Sequence, residues 1–469
     1  YLPIYANSLQ LYAGGLEGTR CCEFLLYHGS HCNGHWPCLE CMGMRALVIG
    51  AGISGLGSAR LLNHESYEVT LVTNRDFSSR KLCEDEGIKV VLNDRDLSLV
   101  QDYDIVVKSP GIPNDHALVS QFDYTMDEIE LASLFTSKLH YYAISGTNGK
   151  TTTVSLLHAM LLKKNNNAIL AGNVGASLSE TIIHDRKEKD VALEISAFQM
   201  ENMRSFAPDM YGVLNLTPDH LDRFESVNEY YQAKLSILDR VGIFVRNWDD
   251  KTIVELTKDY QGSVINLSME HQEGMDVFIK DGAVYFENTV LFVINEMLLK
   301  GKHNVLNASF AALMAYKAGV SLEEIQSTLA SFGGVEHRCE FVRTINGISY
   351  YNDSKATNPE STLVCLQSFT QPTILLAGGF DKKISFDLLK PFSESLKAVY
   401  LFGESALELK AVLPQGILVD TMLDALELAT QSAVVGDVVV LSPACASYDQ
   451  FNNFEERGNI FKAKVNEIN

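Results

Sequence analysis

The chain has 469 residues, with 38 Lys plus Arg against 59 Asp plus Glu and a formal net charge of −21. That balance excludes functions built on a broad basic face, such as wrapping nucleic acid or lying on an anionic membrane, while leaving phosphate binding by loops, helix termini and a few placed cations. The length implies about three domains, and no apolar run approaches the roughly 18 residues that span a bilayer, so a soluble cytoplasmic monomer without membrane insertion is expected.

Five of the nine cysteines (Cys21, Cys22, Cys32, Cys38 and Cys41) fall in the first 43 residues. His28, His31 and His35 stand near them, which raises a zinc site on Cys32, Cys38 and Cys41, but a two-plus-two ligand spacing is missing. Four scattered cysteines in the rest of the chain make no disulfide framework. Met44 opens a clean strand, and residues 1–43 are expected to be an extension of poor order or an artefact.

From Met44 onward, short β-branched runs alternate with longer amphipathic segments, the pattern of an α/β protein with parallel strands. The first block, 44–124, has strands expected at 46–49, 69–72 and 105–107. Gly50, Gly52 and Gly55 form G-x-G-x-x-G between the first strand and a helix expected to enter at Leu56, the dinucleotide fingerprint in its proper context. The acid that should close the second strand is absent, because that strand runs out through Val72, Thr73, Asn74 and Arg75. Arg75 suits the extra phosphate of NADP, and the same glycine loop suits the diphosphate of a nucleotide sugar. The loop from Lys108 to Pro113, with Ser109 and Gly111, would form the second wall of either pocket.

The second block, 125–335, opens with a strand at 141–145 that runs into Gly146, Thr147, Asn148, Gly149, Lys150, Thr151 and Thr152. Glycines that let several N–H groups face one anion, followed by a helix beginning near Thr151, make a nucleotide triphosphate site. Lys150 would meet the β- and γ-phosphates of ATP or GTP, and Thr151 would ligate Mg²⁺. The match to G-x-x-x-x-G-K-[ST] is imperfect, since Ile144 stands five residues before Gly149. Further strands are expected at 191–195 and 211–216, followed by a more irregular stretch over 243–293. Glu194 closes one strand and His220 follows another; oxygen ligands with one imidazole could hold a second Mg²⁺ or Mn²⁺. Lys234, on a helix expected over 227–240, has Tyr230, Tyr231, Ile237 and Leu238 as its helical neighbours, so it projects from an apolar face. Burial would favour the neutral amine, which can take up CO₂ as an anionic carbamate; the alternative is a lysine whose stem covers apolar surface. The third block, 336–469, repeats the α/β theme with strands at 348–352, 373–377, 398–402 and 438–442.

Taken together, AISGTNGKTTT, the Glu and His after later strands, and the lysine in YYQAKLSIL resemble the ATP-dependent Mur ligases. The likeness covers essentially everything after Met44. In the third block YNDSKATN, GGFDK and SPACASYDQFNNFEERG narrow it to the branch that adds D-glutamate to UDP-N-acetylmuramoyl-L-alanine in peptidoglycan precursor synthesis. The resemblance implies three domains: a Rossmann-like N-terminal domain for the UDP substrate, a central P-loop ATPase-type domain, and a Rossmann-like C-terminal domain. It implies that Gly52, Ser54, Gly55, Asn74, Arg75, Ser109, Gly111 and Asn173 meet the UDP substrate. Two Mg²⁺ ions would lie at Thr151 and at Glu194, His220 and carbamylated Lys234. Asn304 and Asn307, with His337, Arg338, Asp353 and Lys355, would complete the ATP site, and Thr357, Lys382, Ser447 and Phe454 would hold D-glutamate. The chain departs from the family in the missing acid after the second strand, in Pro359, expected to interrupt the helix after YNDSKATN, and in residues 1–43. A folylpolyglutamate-synthase-like ligase, a flavin or nicotinamide oxidoreductase and a non-catalytic nucleotide-binding regulator remain alternatives. The regulator would be expected to lack Lys150, Glu194, His220 or Lys234, and all four are present.

Overall fold

The computed structural model describes residues 43–219, 223–381 and 385–468. The described residues form two compact units, 43–148 with 167–265, and 149–166 with 266–468.

The first unit begins with a parallel sheet of β1 (Arg45–Ile49), β2 (Glu68–Val72), β3 (Lys89–Val91) and β4 (Ile105–Lys108), in the order β3-β2-β1-β4. From Ala46 to Ile49 β1 is apolar and buried because both faces are covered, as parallel strands require. Ala46 and Val48 face one core and Leu47 and Ile49 the other. The helix Ile53–His64 starts three residues before the expected Leu56, with Gly52 as its N-cap; Gly55 therefore lies in the first turn and not in the loop.

The same unit holds β5 (Leu139–Ser145), β6 (Ile169–Gly172), β7 (Lys189–Glu194), β8 (Met210–Val213) and β9 (Ile243–Asn247), ordered β9-β8-β5-β7-β6 and all parallel. One continuous apolar core joins the two sheets of this unit: Ala46, Val69 and Ile105 from the first, Tyr141, Val191, Tyr211 and Phe244 from the second. The helix read over 227–240 is α-helical only over Val227–Leu235 and tightens to a 3₁₀ turn at Leu238–Arg240.

β10 (Val264–Leu267) carries the chain into the second unit, where β11 (Val277–Lys280), β12 (Ala283–Phe286) and β13 (Thr289–Val293) form an antiparallel meander. The stretch read as irregular thus holds β9 to β13 and the short helix Lys251–Leu256. Its first hairpin turns on Asp281 and Gly282, both at positive φ (49° and 76°), the type I′ requirement. The helix Lys150–Lys164 packs in this unit against Lys302–Lys317 and Leu322–Ser331. A six-stranded sheet follows: β14 (Glu340–Ile345), β15 (Ile348–Asn352), β16 (Thr373–Gly378), β17 (Ala398–Phe402), β18 (Ile417–Leu418) and β19 (Val438–Leu441). Its order is β14-β15-β19-β16-β17-β18, parallel except for β14, with one core on each face. β14, missed in the sequence, pairs with β15 through a second turn of this kind, Asn346 and Gly347 (φ 51° and 77°). Pro359 does not interrupt a helix but opens one, Pro359–Leu366, behind the N-cap Asn358; its missing N–H costs nothing in the first turn.

Candidate active site

In the first unit β5 is the strand from which neighbouring connections diverge, and open α/β sheets collect ligands at the carboxyl ends of such strands. Gly146 leaves β5 at φ 142°, and a Cβ there would lie 3.1 Å from Leu214 and 3.2 Å from the Asn215 nitrogen. Asn215, just beyond β8, acts as a template for the loop. Its Oδ1 accepts from the Asn148 N–H (2.8 Å), its Nδ2 donates to the Asn148 carbonyl (3.0 Å), and its own carbonyl accepts from Thr147 N (3.0 Å). Thr147 Oγ1 donates to the Thr217 carbonyl at 3.0 Å, and the Tyr230 hydroxyl reaches Thr147 at 3.4 Å.

Lys234 is 1% exposed. Its Nζ donates to the Gly146 carbonyl at 3.0 Å and lies 4.7 Å from the centre of the Tyr230 ring. A buried amine of this kind persists only where hydrogen bonds offset its desolvation, and here the acceptor is the turn that starts the phosphate loop. The expected burial of Lys234 is observed and is complete.

Glu194 ends β7 next to this loop and is also 1% exposed. Its Oε1 accepts from Asn173 Nδ2 at 2.8 Å, while Oε2 is buried without a hydrogen-bond partner. An orphaned buried carboxylate oxygen costs about 1–3 kcal/mol, and such an oxygen beside a phosphate loop fits a divalent cation. Asn173 is delivered by a tight turn: Gly172 has φ 98°, and a Cβ there would fall 2.1 Å from the Glu194 carbonyl oxygen. Here Asn173 and Glu194, assigned separately to substrate and to metal, are in direct contact.

At the first sheet Gly50 (φ 102°) turns the chain, and its N–H donates to the Val72 carbonyl at 2.7 Å. A Cβ on Gly55 would strike the Gly50 carbonyl oxygen at 1.8 Å, so the helix start and the strand end touch through backbone alone. Ser109 joins them, its Oγ donating to the Gly50 carbonyl at 3.3 Å. Around Gly52 and Gly111 there is open space, and Asn74 and Arg75 are exposed just beyond β2. Ser54 lies in the first turn of the fingerprint helix, its carbonyl taken by Ser58 Oγ at 2.8 Å.

In the second unit Gly149 is the N-cap of Lys150–Lys164 at φ 85°, with no side chain capping the helix, an arrangement that suits an anion at the dipole's positive end. Thr151 is buried, Thr152 half-buried, and Thr153 Oγ1 donates to the Gly149 carbonyl at 3.0 Å. Asn304 and Asn307 face each other on the first turns of Lys302–Lys317, Nδ2 of Asn307 lying 3.4 Å from Oδ1 of Asn304.

Four of the third-block residues gather. His337, buried and at φ 61°, stacks edge-on against Phe454 (6.0 Å), and its carbonyl accepts from Lys355 N at 2.9 Å. Lys355 Nζ lies 5.7 Å from the Phe454 ring centre. Asp353 accepts from Ser442 Oγ (2.6 Å) and Cys339 N (2.9 Å), and burial lifts its carboxyl to about 6. Burial likewise holds the His337 imidazole below its usual range. Arg338 is exposed, Thr357 N donates to the Lys355 carbonyl at 2.8 Å, and Ser447 is buried. The cluster is braced by Arg457, a residue of SPACASYDQFNNFEERG to which the sequence alone gives no role: fully buried, it donates to the carbonyls of Ser354 (2.8 Å) and Cys445 (3.0 Å) and to Ser354 Oγ (2.9 Å). Desolvation pulls its guanidinium down to about 10. His220, Lys382 and the cysteines before Met44 lie outside the described residues.

Asn215 and Tyr230 also escaped the sequence reading. A polar residue directly after a strand of a parallel sheet was the available signal for Asn215; nothing local marks the Tyr230 hydroxyl.

Residues 144–315 match the model of the Mur ligase middle domain and residues 337–445 that of the Mur ligase glutamate ligase domain. A protein of Koribacter versatilis named UDP-N-acetylmuramoylalanine–D-glutamate ligase is 35% identical over 449 residues, 92% of this chain and 99% of that protein. One of the same name from Bacillus subtilis is 35% identical over 436 residues, covering 88% and 96%. Among solved structures, the UDP-N-acetylmuramate-alanine ligase of Thermotoga maritima shares the fold at a TM-score of 0.56 and 16% identity, over 90% of this chain and 99% of that one. With near full-length relatives at this identity, and both domain models matched in order, the chain belongs to the Mur ligase family.

Proposed function

We propose that this chain is an ATP-dependent amide ligase that joins D-glutamate to UDP-N-acetylmuramoyl-L-alanine in the assembly of peptidoglycan precursors. The observation that carries the reading is the cluster at the ends of β5, β7 and β8, where a pinned phosphate loop, a buried lysine and a buried carboxylate with one unpartnered oxygen come together. Full-length likeness to relatives of that name supports the choice of substrates.

A carboxylate is a poor acyl donor because oxide would have to leave. Its oxygen first takes the γ-phosphoryl group of ATP, releasing ADP; the D-glutamate amine then attacks the acyl carbon, and phosphate departs as the amide forms and the amine loses its proton. Phosphoryl transfer rewards positioning and charge neutralisation more than covalent help. Lys150 supplies charge at the β- and γ-phosphates. Asn215 and Lys234 hold the loop before it, so that little is spent on ordering it when nucleotide arrives.

Mg²⁺ or Mn²⁺ would be held by Thr151 and, at a second position, by Glu194 with His220 and Lys234; bound there, the ions neutralise phosphate charge. As a carbamate, Lys234 would keep one N–H, enough to retain its bond to the Gly146 carbonyl, and would present two carboxylate oxygens. Residues 44–124 serve the sugar nucleotide through Gly52, Ser54, Gly55, Asn74, Arg75, Ser109, Gly111 and Asn173. Residues 125–335 serve ATP, with Asn304 and Asn307 at adenine and with His337, Arg338, Asp353 and Lys355 from 336–469. D-Glutamate falls to Thr357, Lys382, Ser447 and Phe454. A folylpolyglutamate-type ligase would have no use for the glycine loop of the first sheet.

The test is phosphate release from ATP and Mg²⁺ in the presence of UDP-N-acetylmuramoyl-L-alanine, with D-glutamate, L-glutamate, L-lysine or D-alanyl-D-alanine added in turn. Release that requires D-glutamate is expected. Silence with every acceptor, from folded protein that binds ATP, would overturn the reading.

A further inference from the structure

The loop that follows β4 carries Ser109 and Gly111, and both of its sides are held. On the inner side Ser109 N donates to the Ile49 carbonyl (2.8 Å) and Ile112 N to the Ser109 carbonyl (3.0 Å). Lys108, 1% exposed, folds back so that its Nζ donates to the Ile112 carbonyl at 3.0 Å. Asp127, Glu201 and Arg223 are the charged groups around it, and desolvation lowers its pKa.

The outer side is held by Arg223, which lies 115 residues further along the chain than Lys108 and belongs to none of the motifs. Its guanidinium is mostly buried (side chain 15% exposed) and pairs with Glu201, Nη2 to Oε2 at 2.8 Å. It lies 4.8 Å from the centre of the Phe198 ring. The remaining N–H groups point at the carbonyls of Pro110 and Ile112, each at 3.5 Å. Glu201 is in turn approached by Asn114 Nδ2 at 3.4 Å, and Asn202 Nδ2 donates to Asn114 Oδ1 at 3.2 Å. Phe198 and Glu201 sit on and directly after the short helix Ala197–Met200, which starts three residues beyond Glu194.

From this geometry we infer that Arg223 is a positioning residue for the sugar nucleotide, fixing the loop of Ser109 and Gly111 against the segment that follows Glu194. The inference rests on the function proposed above. A planar fork is what the place demands: one edge meets a carboxylate, the face covers an aromatic ring, and the outer N–H groups meet two carbonyls of one loop. A lysine supplies charge but neither the second edge nor the stacking face. Ile112 takes a donor from Lys108 and another from Arg223, so its carbonyl is the point at which the two holds meet. Loss of the outer hold leaves Ser109 tied to β1 while Gly111 drifts, which misplaces the diphosphate without touching the ATP loop.

The test uses full-length Arg223→Lys, Arg223→Met and Glu201→Gln proteins. It measures Michaelis constants for each substrate and, separately, sugar-nucleotide binding by titration calorimetry without ATP. The expected result is a rise of about ten- to a hundredfold in KM and Kd for UDP-N-acetylmuramoyl-L-alanine, larger for Met than for Lys, with KM for ATP and D-glutamate within about twofold of wild type. Glu201→Gln keeps the shape of the pair and is expected to lie between wild type and Arg223→Lys, so it reports even if Arg223→Met folds poorly. Unchanged sugar-nucleotide constants in Arg223→Lys and Glu201→Gln, or an equal rise in all three KM values, would overturn the inference. Wild-type protein that binds no sugar nucleotide would instead overturn the underlying function.

Discussion

Asp127 offers a measurement in which physical chemistry dictates the sign. It caps the helix Glu128–Leu134 through Oδ1, which accepts from Ile129 N at 2.9 Å, while Oδ2 is buried without a partner. Burial raises its carboxyl from the ordinary 3.8 to about 8; the Glu128 charge adds to the rise, and Lys108 opposes it. A carboxyl whose folded pKa lies above its unfolded one binds more protons when folded, so its contribution is intact below about pH 4 and is lost as pH climbs towards 8. At about 1.4 kcal/mol per pKa unit, the loss is on the order of 5 kcal/mol across that window. Asparagine caps a helix as well as aspartate does and carries no titrating proton. Asp127→Asn should therefore match wild type near pH 4 and grow steadily more stable than it up to pH 8. The check is urea denaturation followed by circular dichroism at half-unit steps of pH. A stability difference that stays flat with pH, or a variant that loses ground as pH rises, would refute the reasoning.

Three further outcomes follow from geometry. In Gly55→Ala the added methyl meets the Gly50 carbonyl oxygen at 1.8 Å, so helix and strand must part. Calorimetry should show sugar-nucleotide binding lost and ATP binding kept, with stability down by about 1–3 kcal/mol. Lys234→Ala should abolish turnover, and millimolar acetate or propionate should restore part of it; restoration by a simple amine and not by an acid would remove the carbamate from the proposal. Glu128 accepts from Ser177 Oγ (2.8 Å) and Ser179 N (2.6 Å) deep in the core. Glu128→Ala strands both donors and should cost about 2–5 kcal/mol in denaturant titration, and a cost below about 1 kcal/mol would mean that water or a neighbour satisfies them.

The α/β character and the glycine loops were legible because β-branched runs and Gly-bearing turns are local signals. The hairpins at Asp281-Gly282 and Asn346-Gly347 carried an equally local signal, but their strands are half-buried and short, so the alternation around them is weak. Pro359 was misread because a proline breaks a helix only from its interior, and the cap at Asn358 places it first. The burial of Lys234 followed from its helical neighbours. Its acceptor at Gly146, the Asn173–Glu194 contact and the Arg223 clasp join residues 21 to 113 positions apart, and no periodicity in a single sequence reports such pairs.

The core shared by the two sheets of the first unit bears on how this protein can move. Residue 124 marks a change of motif, but it is not a pivot: Arg204 stacks over the Tyr124 ring at 3.8 Å, and Glu130, a few residues on, accepts from the backbone of Ser205 and Phe206. Tilting one sheet against the other there would expose Met126, Ile129 and Leu131 to water. The rigid frame thus reaches from the glycine fingerprint to Glu194, and the freedom left to this unit resides in the loops it carries. A compound wedged among those loops would meet walls that cannot retreat.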